Sequence, residues 1–234
     1  MSLRKLFAVV AVAFSLAGCA TQNFYTSDKL TRSDKGVRIL MMPPDVQLFE
    51  LTAGGQAELN AEWTGSGRSN VKQAVIENLG TIKAKYVEFQ PPAEDDPAFL
   101  KLDQLQKLHG AVGATIAVHH AGPIKLPAKD GKFEWSLGPA VAELGQHADA
   151  DYALFVYVRD SYTSPGRAAM KAVAAILFGV YIPGGMQTGY ASLVDLKTGD
   201  VVWYNRLLPR EDGDLRTFER SKSTVALLLD NMPK

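Results

Sequence analysis

The 234-residue chain has one cysteine, Cys19, so it cannot form an internal disulfide or a metal site built from several cysteines. It has no net charge, since 25 basic residues balance 25 acidic ones. It also has no basic stripe interleaved with aromatic residues, which argues against binding to nucleic acid. Its longest apolar runs, 6–16 and 167–182, are shorter than the roughly 20 residues that a membrane-spanning helix needs.

Sequence motifs of catalysis are also missing. No two histidines stand four apart around a glutamate, as in a zinc protease, and the neighbours His119 and His120 point apart on a helix or strand. No Gly-x-Ser-x-Gly elbow is present, and Ser66 lies in a Gly-Ser-Gly stretch that is typical of a loop. The acidic cluster at 94–96 reads as a solvated helix start. We therefore expect no enzyme activity, no cofactor and no metal.

The first 18 residues have the three regions of a secretion signal in order. Arg4 and Lys5 give the positive start, 6–16 is apolar, and small residues lead to Cys19. One alternative interpretation is an ordinary secretory signal followed by a chance cysteine, and another is a cytosolic protein with a buried apolar N-terminus. We expect 1–18 to be removed from the mature protein.

The stretch Leu16, Ala17, Gly18, Cys19 resembles the lipobox of bacterial lipoproteins. The resemblance implies cleavage between Gly18 and Cys19, a diacylglyceryl thioether on Cys19, and acylation of the new terminus. Two or three acyl chains give stable membrane anchoring. Ala20 follows the cysteine where an aspartate would imply retention at the inner membrane. The resemblance therefore implies an outer-membrane anchor and a periplasm-facing domain in a Gram-negative host.

Beyond the signal, we predict a polar, flexible, lipidated tether at 19–36 and one periplasmic α/β domain at 37–234. Strands are predicted at 37–42, 46–52, 86–89, 152–158, 188–196 and 201–207. Helices are predicted at 60–85 with an interruption at 65–67, from 94–97 onward, at 139–147, and from 218 to 231. The segment 124–137 is predicted to be a loop or hairpin with an exposed tip.

The segment 167–182 is almost entirely apolar, with Lys171 as its one interruption. A buried core helix is one interpretation of it. The other is a segment that inserts in a membrane or packs between protomers, because its small residues would allow helices to approach closely. Candidate interaction residues are then Ala172, Ala175, Phe178 and Tyr181, together with Phe133 and Trp135 of the 124–137 loop.

The region 149–205 is similar to the broad group of periplasmic lipoproteins around the curli-secretion lipoprotein CsgG, which includes activators of peptidoglycan synthases. The match is carried by a hairpin motif at Asp195, Thr198, Gly199, Asp200, Val202 and Trp203. The resemblance implies an α/β domain with a single mixed sheet and flanking helices, in which this hairpin closes the sheet. Trp203 is expected in the core. Two long alternating hairpins that could line a barrel are not seen, which argues against a curli-type channel.

These features together predict a membrane-anchored lipoprotein with a non-enzymatic binding or assembly role in the cell envelope. Its expected contacts are the membrane, through lipid on Cys19, and an envelope protein or a second copy of itself. A hydrolase of envelope polymers and a ring-forming export component are the alternatives.

Overall fold

The computed structural model describes residues 21–26, 30, 37–81, 85–93 and 95–233. The predicted signal segment 1–18, its cleavage position and the predicted lipidation site Cys19 lie outside the described residues. The described strands are β1 (Thr21–Tyr25), β2 (Arg38–Met41), β3 (Asp45–Leu51), β4 (Ala57–Leu59), β5 (Lys85–Glu88), β6 (Tyr152–Thr163), β7 (Gln187–Asp195) and β8 (Val201–Arg210). The described helices are α1 (Ala61–Thr81), α2 (Pro97–His119), α3 (Ala142–Ala148), α4 (Pro165–Phe178) and α5 (Phe218–Leu228).

In the described part of the chain, all eight strands belong to one mixed sheet. Its main order is β1-β8-β7-β6-β2-β5. Strands β2 and β3 lie one after the other along the same edge of β6, both parallel to it, and Pro43 and Pro44 separate them. Strand β7 pairs with β6 in antiparallel fashion. The prediction of a single mixed-sheet α/β domain with flanking helices is confirmed.

Helices cover both faces of the sheet and give it two apolar cores. On one face, α1 and α5 pack against alternate residues of β6, including Leu154 and Val156. On the other face, α2 and α3 pack against the intervening residues, including Ala153 and Phe155. A strand covered on both faces carries a nearly continuous apolar run, which is why β6 is so recognisable in the sequence.

The chain between the signal and β2 differs from the predicted tether. Its backbone from Thr21 to Tyr25 pairs with β8 in a register that runs from Thr21 opposite Leu207 to Tyr25 opposite Trp203. Leu30 is also buried, in the core under α1. The tether prediction is therefore wrong for these residues, because β8 offers them a strand edge that sequence inspection could not reveal. The rest of 19–36, apart from Thr26, lies outside the described residues.

Helix α1 runs without a break through the predicted interruption at 65–67. A side chain at Gly67 would place its Cβ atom 2.9 Å from Leu48 Cδ1, whereas Gly65 faces open space. Thr64, one turn away, accepts a hydrogen bond from the backbone N–H of Leu48 at 3.0 Å. The close packing of helix on strand therefore offsets the weak helix propensity of glycine.

Several local predictions are confirmed. Asp96 caps α2 by accepting a hydrogen bond from the N–H of Ala98 at 2.8 Å, with Pro97 in the first helical position. The β7–β8 turn has Asp195 accepting from the N–H of Lys197 at 2.7 Å, and Gly199 has a φ of +83°. The side chain of Trp203 is fully buried.

Candidate functional site

Helix α4 is well specified by its own sequence. The Ser164 side chain caps its start by accepting a hydrogen bond from the N–H of Arg167 at 3.2 Å, and Pro165 occupies the first turn. The helix ends at Gly179, which has a φ of +64° and donates its N–H to the carbonyl of Ala175 at 3.0 Å. Alanines, the strongest helix formers, fill much of the interior between these caps.

No residue of α4 is buried. Its half-buried residues are Arg167, Lys171 and Ala174, spaced four and three apart, so this stripe faces the rest of the protein. Val173, Ile176 and Leu177 lie off that stripe and are 53%, 81% and 67% exposed. Phe178, at the end of the helix, is 74% exposed. The helix is therefore amphipathic with its polar side inward. The core-helix interpretation of this segment is wrong.

The chain returns to the sheet through residues 179–186, and we call 165–186 the apolar arm. The Tyr181 hydroxyl donates to the Glu211 carboxylate at 2.9 Å. Arg167 donates a guanidinium N–H to the carbonyl of Pro183 at 3.4 Å. Helix α4 and the return segment 179–186 are thus in contact, and together they form one projecting unit between β6 and β7.

The return segment enters the sheet through a very close backbone contact. A Cβ atom at Gly185 would lie 1.6 Å from the carbonyl oxygen of Ser161, so only glycine fits there. The next residue, Met186, donates its N–H to Ser161 Oγ at 2.8 Å. This contact fixes the point at which the apolar arm rejoins the sheet.

A buried polar network ties the two ends of the apolar arm to the domain. Asp160, in β6 before the arm, accepts hydrogen bonds from the Tyr162 hydroxyl and the Gln187 side-chain amide, both at 2.7 Å. Gln187, the first residue after the arm, in turn accepts from Thr224 of α5 at 3.0 Å. Burial raises the pKa of the Asp160 carboxyl, which the donated hydrogen bonds partly oppose. The arm therefore projects from a fixed base.

The predicted interaction residues fall into two groups. Ala172, Ala175, Phe178 and Tyr181 are all exposed on the apolar arm. Their interaction role stays a prediction, and the structure adds Val173, Ile176 and Leu177 to the same exposed surface. These three lay inside the predicted segment, but periodicity alone did not show which way each would point.

Phe133 and Trp135 do not join that surface. Both are half-buried and pack against the core beneath α2. The Phe133 ring lies 6.2 Å from that of Phe24 and 5.2 Å from that of His120, measured between centroids. Lys129 Nζ lies 4.8 Å from the centre of the Trp135 ring. The structure gives the two rings a packing role, and a binding role for them stays a prediction.

A cleft of about 770 Å³ lies between α2, α3 and β5. Its apolar lining includes Leu40, Val87, Phe89, Leu102, Leu105 and Leu144. The acids at its edge have structural partners: Glu143 pairs with Lys101 at 2.9 Å, and Glu88 pairs with Lys72. Asp96, also at its edge, caps α2. The cleft thus has the size of a ligand site, with its carboxylates engaged in holding the fold.

None of the described histidine side chains lines that cleft. His109 is 2% exposed, its Nε2 lies 3.0 Å from Ser192 Oγ, and burial lowers its pKa to about 3. His119 Nδ1 lies 2.9 Å from the carbonyl of Ile124, and the His120 ring packs on Phe24. Within the described ranges, no cluster of three or more potential ligand side chains is placed to hold a metal ion.

None of the helices in the described ranges combines the length and the apolar character needed to cross a membrane.

No protein-family model and no curated protein sequence matches the chain. Similar solved structures include the PelC dodecamer from Paraburkholderia phytofirmans, at 12% identity and a TM-score of 0.40, covering 92% of this chain and 98% of that one. A lipoprotein from Neisseria meningitidis is similar at 12% identity and a TM-score of 0.32, covering 76% and 81%. The LpoB C-terminal domain from Salmonella enterica is similar at 11% identity and a TM-score of 0.30, covering 88% and 94%.

Proposed function

We propose that the chain is a lipid-anchored, periplasm-facing protein with a non-enzymatic binding or assembly role in the cell envelope. In this proposal Cys19 carries the lipid and the apolar arm is the element that makes contact. The observation that carries the proposal is the orientation of α4, which turns Arg167 and Lys171 toward the protein and its large apolar side chains toward the outside.

That orientation has an energetic consequence. Burying one large apolar side chain in a contact lowers the free energy by about 1.5–3 kcal/mol relative to leaving that side chain in water. Val173, Ile176 and Leu177 are each more than half exposed, and because they are spaced three and four apart they share one face of the helix. Contiguous apolar patches of this kind usually mark contact surfaces. We infer that the apolar arm is covered in its working environment.

The arm is also held in place, as a contact element should be. Its helix is capped at both ends, its return segment is bonded to Glu211, and its base is fixed by Asp160 and Gln187. Little ordering is then left to occur on binding, which lowers the entropic cost of contact.

The two alternative functions make different demands on the structure. A hydrolase would need catalytic groups in the cleft, and a ring-forming export component would place the apolar arm between protomers. The alanines Ala168, Ala172 and Ala175 would permit the close helix approach that the second alternative needs.

The substitution Ala175→Asp tests the proposal, because it puts a charge on the exposed face of the apolar arm. The chain from residue 19 onward with Cys19→Ala is mixed with isolated envelope membranes, and bound protein is separated by flotation. We expect saturable binding that Ala175→Asp weakens at least about ten-fold, since burying an unpaired charge costs well over 1.4 kcal/mol.

The control is Ala114→Asp, at an exposed alanine of α2. It should bind as the parent does, and both variants should keep the parent's circular dichroism spectrum and melting temperature. Unaltered binding by Ala175→Asp would refute the assigned role of the arm, and unfolding by Ala175→Asp would contradict the exposed position of Ala175.

A further inference from the structure

We infer that the apolar arm lies in the lipid headgroup region of the same membrane that holds Cys19, as a second, non-covalent membrane attachment. The inference rests on the proposed function, because it takes the lipid anchor at Cys19 as given. It commits to a lipid surface as the occupant of the exposed face of α4. A second copy of the chain and a protein partner are outcomes that the experiment must separate from it.

The strand register places the lipid anchor and the apolar arm at the same end of the sheet. Gln187, which follows the arm directly, pairs with Arg210 at the end of β8. Thr21, the first residue of β1, pairs with Leu207, three residues before Arg210. Three residues of strand span about 10 Å. The start of β1 and the base of the arm are therefore close neighbours.

The direction of β1 brings the anchor closer still to the arm. Because β1 is antiparallel to β8, the chain that precedes Thr21 enters from the end of the sheet where β8 finishes. The two peptide links between Cys19 and Thr21 span at most about 7 Å. Acyl chains on Cys19 would therefore hold the arm's end of the domain against the bilayer, and lipid is then the surface nearest to the arm.

The chemistry of the arm suits an interfacial position. A 14-residue helix is about 21 Å long, too short to span the bilayer but ample to lie along its surface. Its outward face is apolar, as in helices that sink into the boundary between headgroups and acyl chains. Phe178 and Tyr181 are aromatic residues of the kind that favour the membrane interface.

Charge does not oppose a lipid surface. No acidic residue occurs in the sequence between Asp160 and Asp195, and the two basic residues of the arm, Arg167 and Lys171, lie on its inward face. The acid that the structure places against the arm, Glu211, accepts the hydrogen bond from Tyr181. The outward face of the arm thus carries no acid of its own that anionic headgroups would repel.

The test uses the lipidated mature chain reconstituted in vesicles of phosphatidylethanolamine with phosphatidylglycerol as the minor lipid. Lipidation consumes the only cysteine thiol, so Leu177→Cys supplies a single labelling site for an environment-sensitive fluorophore. The matched control is Leu100→Cys on α2, because Leu100 is 63% exposed and Leu177 is 67% exposed. Mass spectrometry first establishes that the mature terminus is acylated.

We expect the fluorescence emission of the probe at position 177 to shift to shorter wavelength at every protein-to-lipid ratio. We also expect nitroxides on the lipid acyl chains to quench that emission. The probe at position 100 should show neither effect. Equal quenching at both positions, or none at position 177, would overturn the inference.

Two further results separate this inference from the proposed function. A blue shift at position 177 that grows with protein density and resists lipid quenching would show a second copy on the arm. That result, or protection of position 177 in native membranes but not in pure lipid, would overturn the lipid assignment and leave the proposed function standing. An unacylated Cys19 would overturn both the inference and the proposed function. Exposure of position 177 to water in native membranes and in pure lipid would also overturn both.

Discussion

At the scale of single residues, His109 shows how the core holds a titratable group in its neutral form. Its ring stacks on Phe155 with a centroid distance of 4.8 Å and makes one hydrogen-bond contact, to Ser192 Oγ. Burial lowers its pKa from the usual 6.5 to about 3. This histidine is therefore structural, and its charged form is excluded from the folded state across the physiological pH range.

This pKa shift predicts acid sensitivity. Below pH 6.5 the unfolded chain takes up a proton at His109 that the folded chain refuses until about pH 3, so the free energy of unfolding falls as the pH falls between these values. From about pH 7.5 to about pH 5, this one group should remove about 2 kcal/mol.

The comparison is a urea titration of the wild type and of the double variant His109→Phe, Ser192→Ala at both pH values. The double variant keeps an aromatic ring against Phe155 and leaves no unpaired polar atom at position 192. We expect it to lose about 2 kcal/mol less than the wild type on acidification. Equal losses would show that His109 titrates normally in the folded protein.

At the scale of elements, helix α2 packs on the sheet through glycine. A Cβ atom at Gly113 would lie 2.1 Å from a ring carbon of Tyr190, and that ring is stacked between Tyr157 and Tyr204. A Cβ atom at Gly110 would lie 3.5 Å from Tyr157, which is ordinary contact. The same substitution one turn apart on one helix should therefore have opposite effects.

We predict that Gly113→Ala lowers the free energy of unfolding by about 1–3 kcal/mol, because the stacked ring cannot move aside. Gly110→Ala should raise it by about 0.5–1 kcal/mol, because alanine favours the helix over glycine. Chemical unfolding of the two variants beside the wild type measures both effects. Equal stability of the two variants would contradict this account of how α2 packs.

Helix starts and turns that depend on neighbouring residues could be predicted from the sequence. Asp96 and Pro97 mark the start of α2, and Gly199 marks the β7–β8 turn, because the capping and turn preferences act within a few residues. The sequence predicts a break in α1 at 65–67 because glycine has poor helix propensity. Its contact with Leu48, which overrides that propensity, comes from a distant strand and could not be read locally.

Contacts between segments far apart in sequence also determine the candidate site. Strand β1 pairs with β8 almost two hundred residues away, and its five residues alone carry no strand periodicity. The apolar segment was recognised, but an apolar helix looks the same whether a core or a membrane covers it. Only the three-dimensional placement of Arg167 and Lys171 on the inward face decides its orientation.

At the scale of the whole molecule, the faces of the sheet stabilise the domain, while one end of the sheet positions the apolar arm. Its two faces are covered by helices and supply the stability of the domain. One end of it gathers the base of the apolar arm and the start of β1. A domain built in this way can present a single apolar element in a fixed direction relative to its anchor.

The central claim is that the apolar arm is covered when the protein is in its envelope. The most direct measurement is the rate at which a water-soluble maleimide reacts with Leu177→Cys in isolated membranes, compared with Leu100→Cys. The two side chains are nearly equally exposed in the structure, at 67% and 63%. In the unlipidated chain, which has Cys19→Ala and is free of membranes, the two sites should react at similar rates.

In membranes, we predict that the reaction at position 177 slows at least about ten-fold, which corresponds to about 1.4 kcal/mol of protection, while that at position 100 is unchanged. Equal rates at the two positions in membranes would contradict the claim.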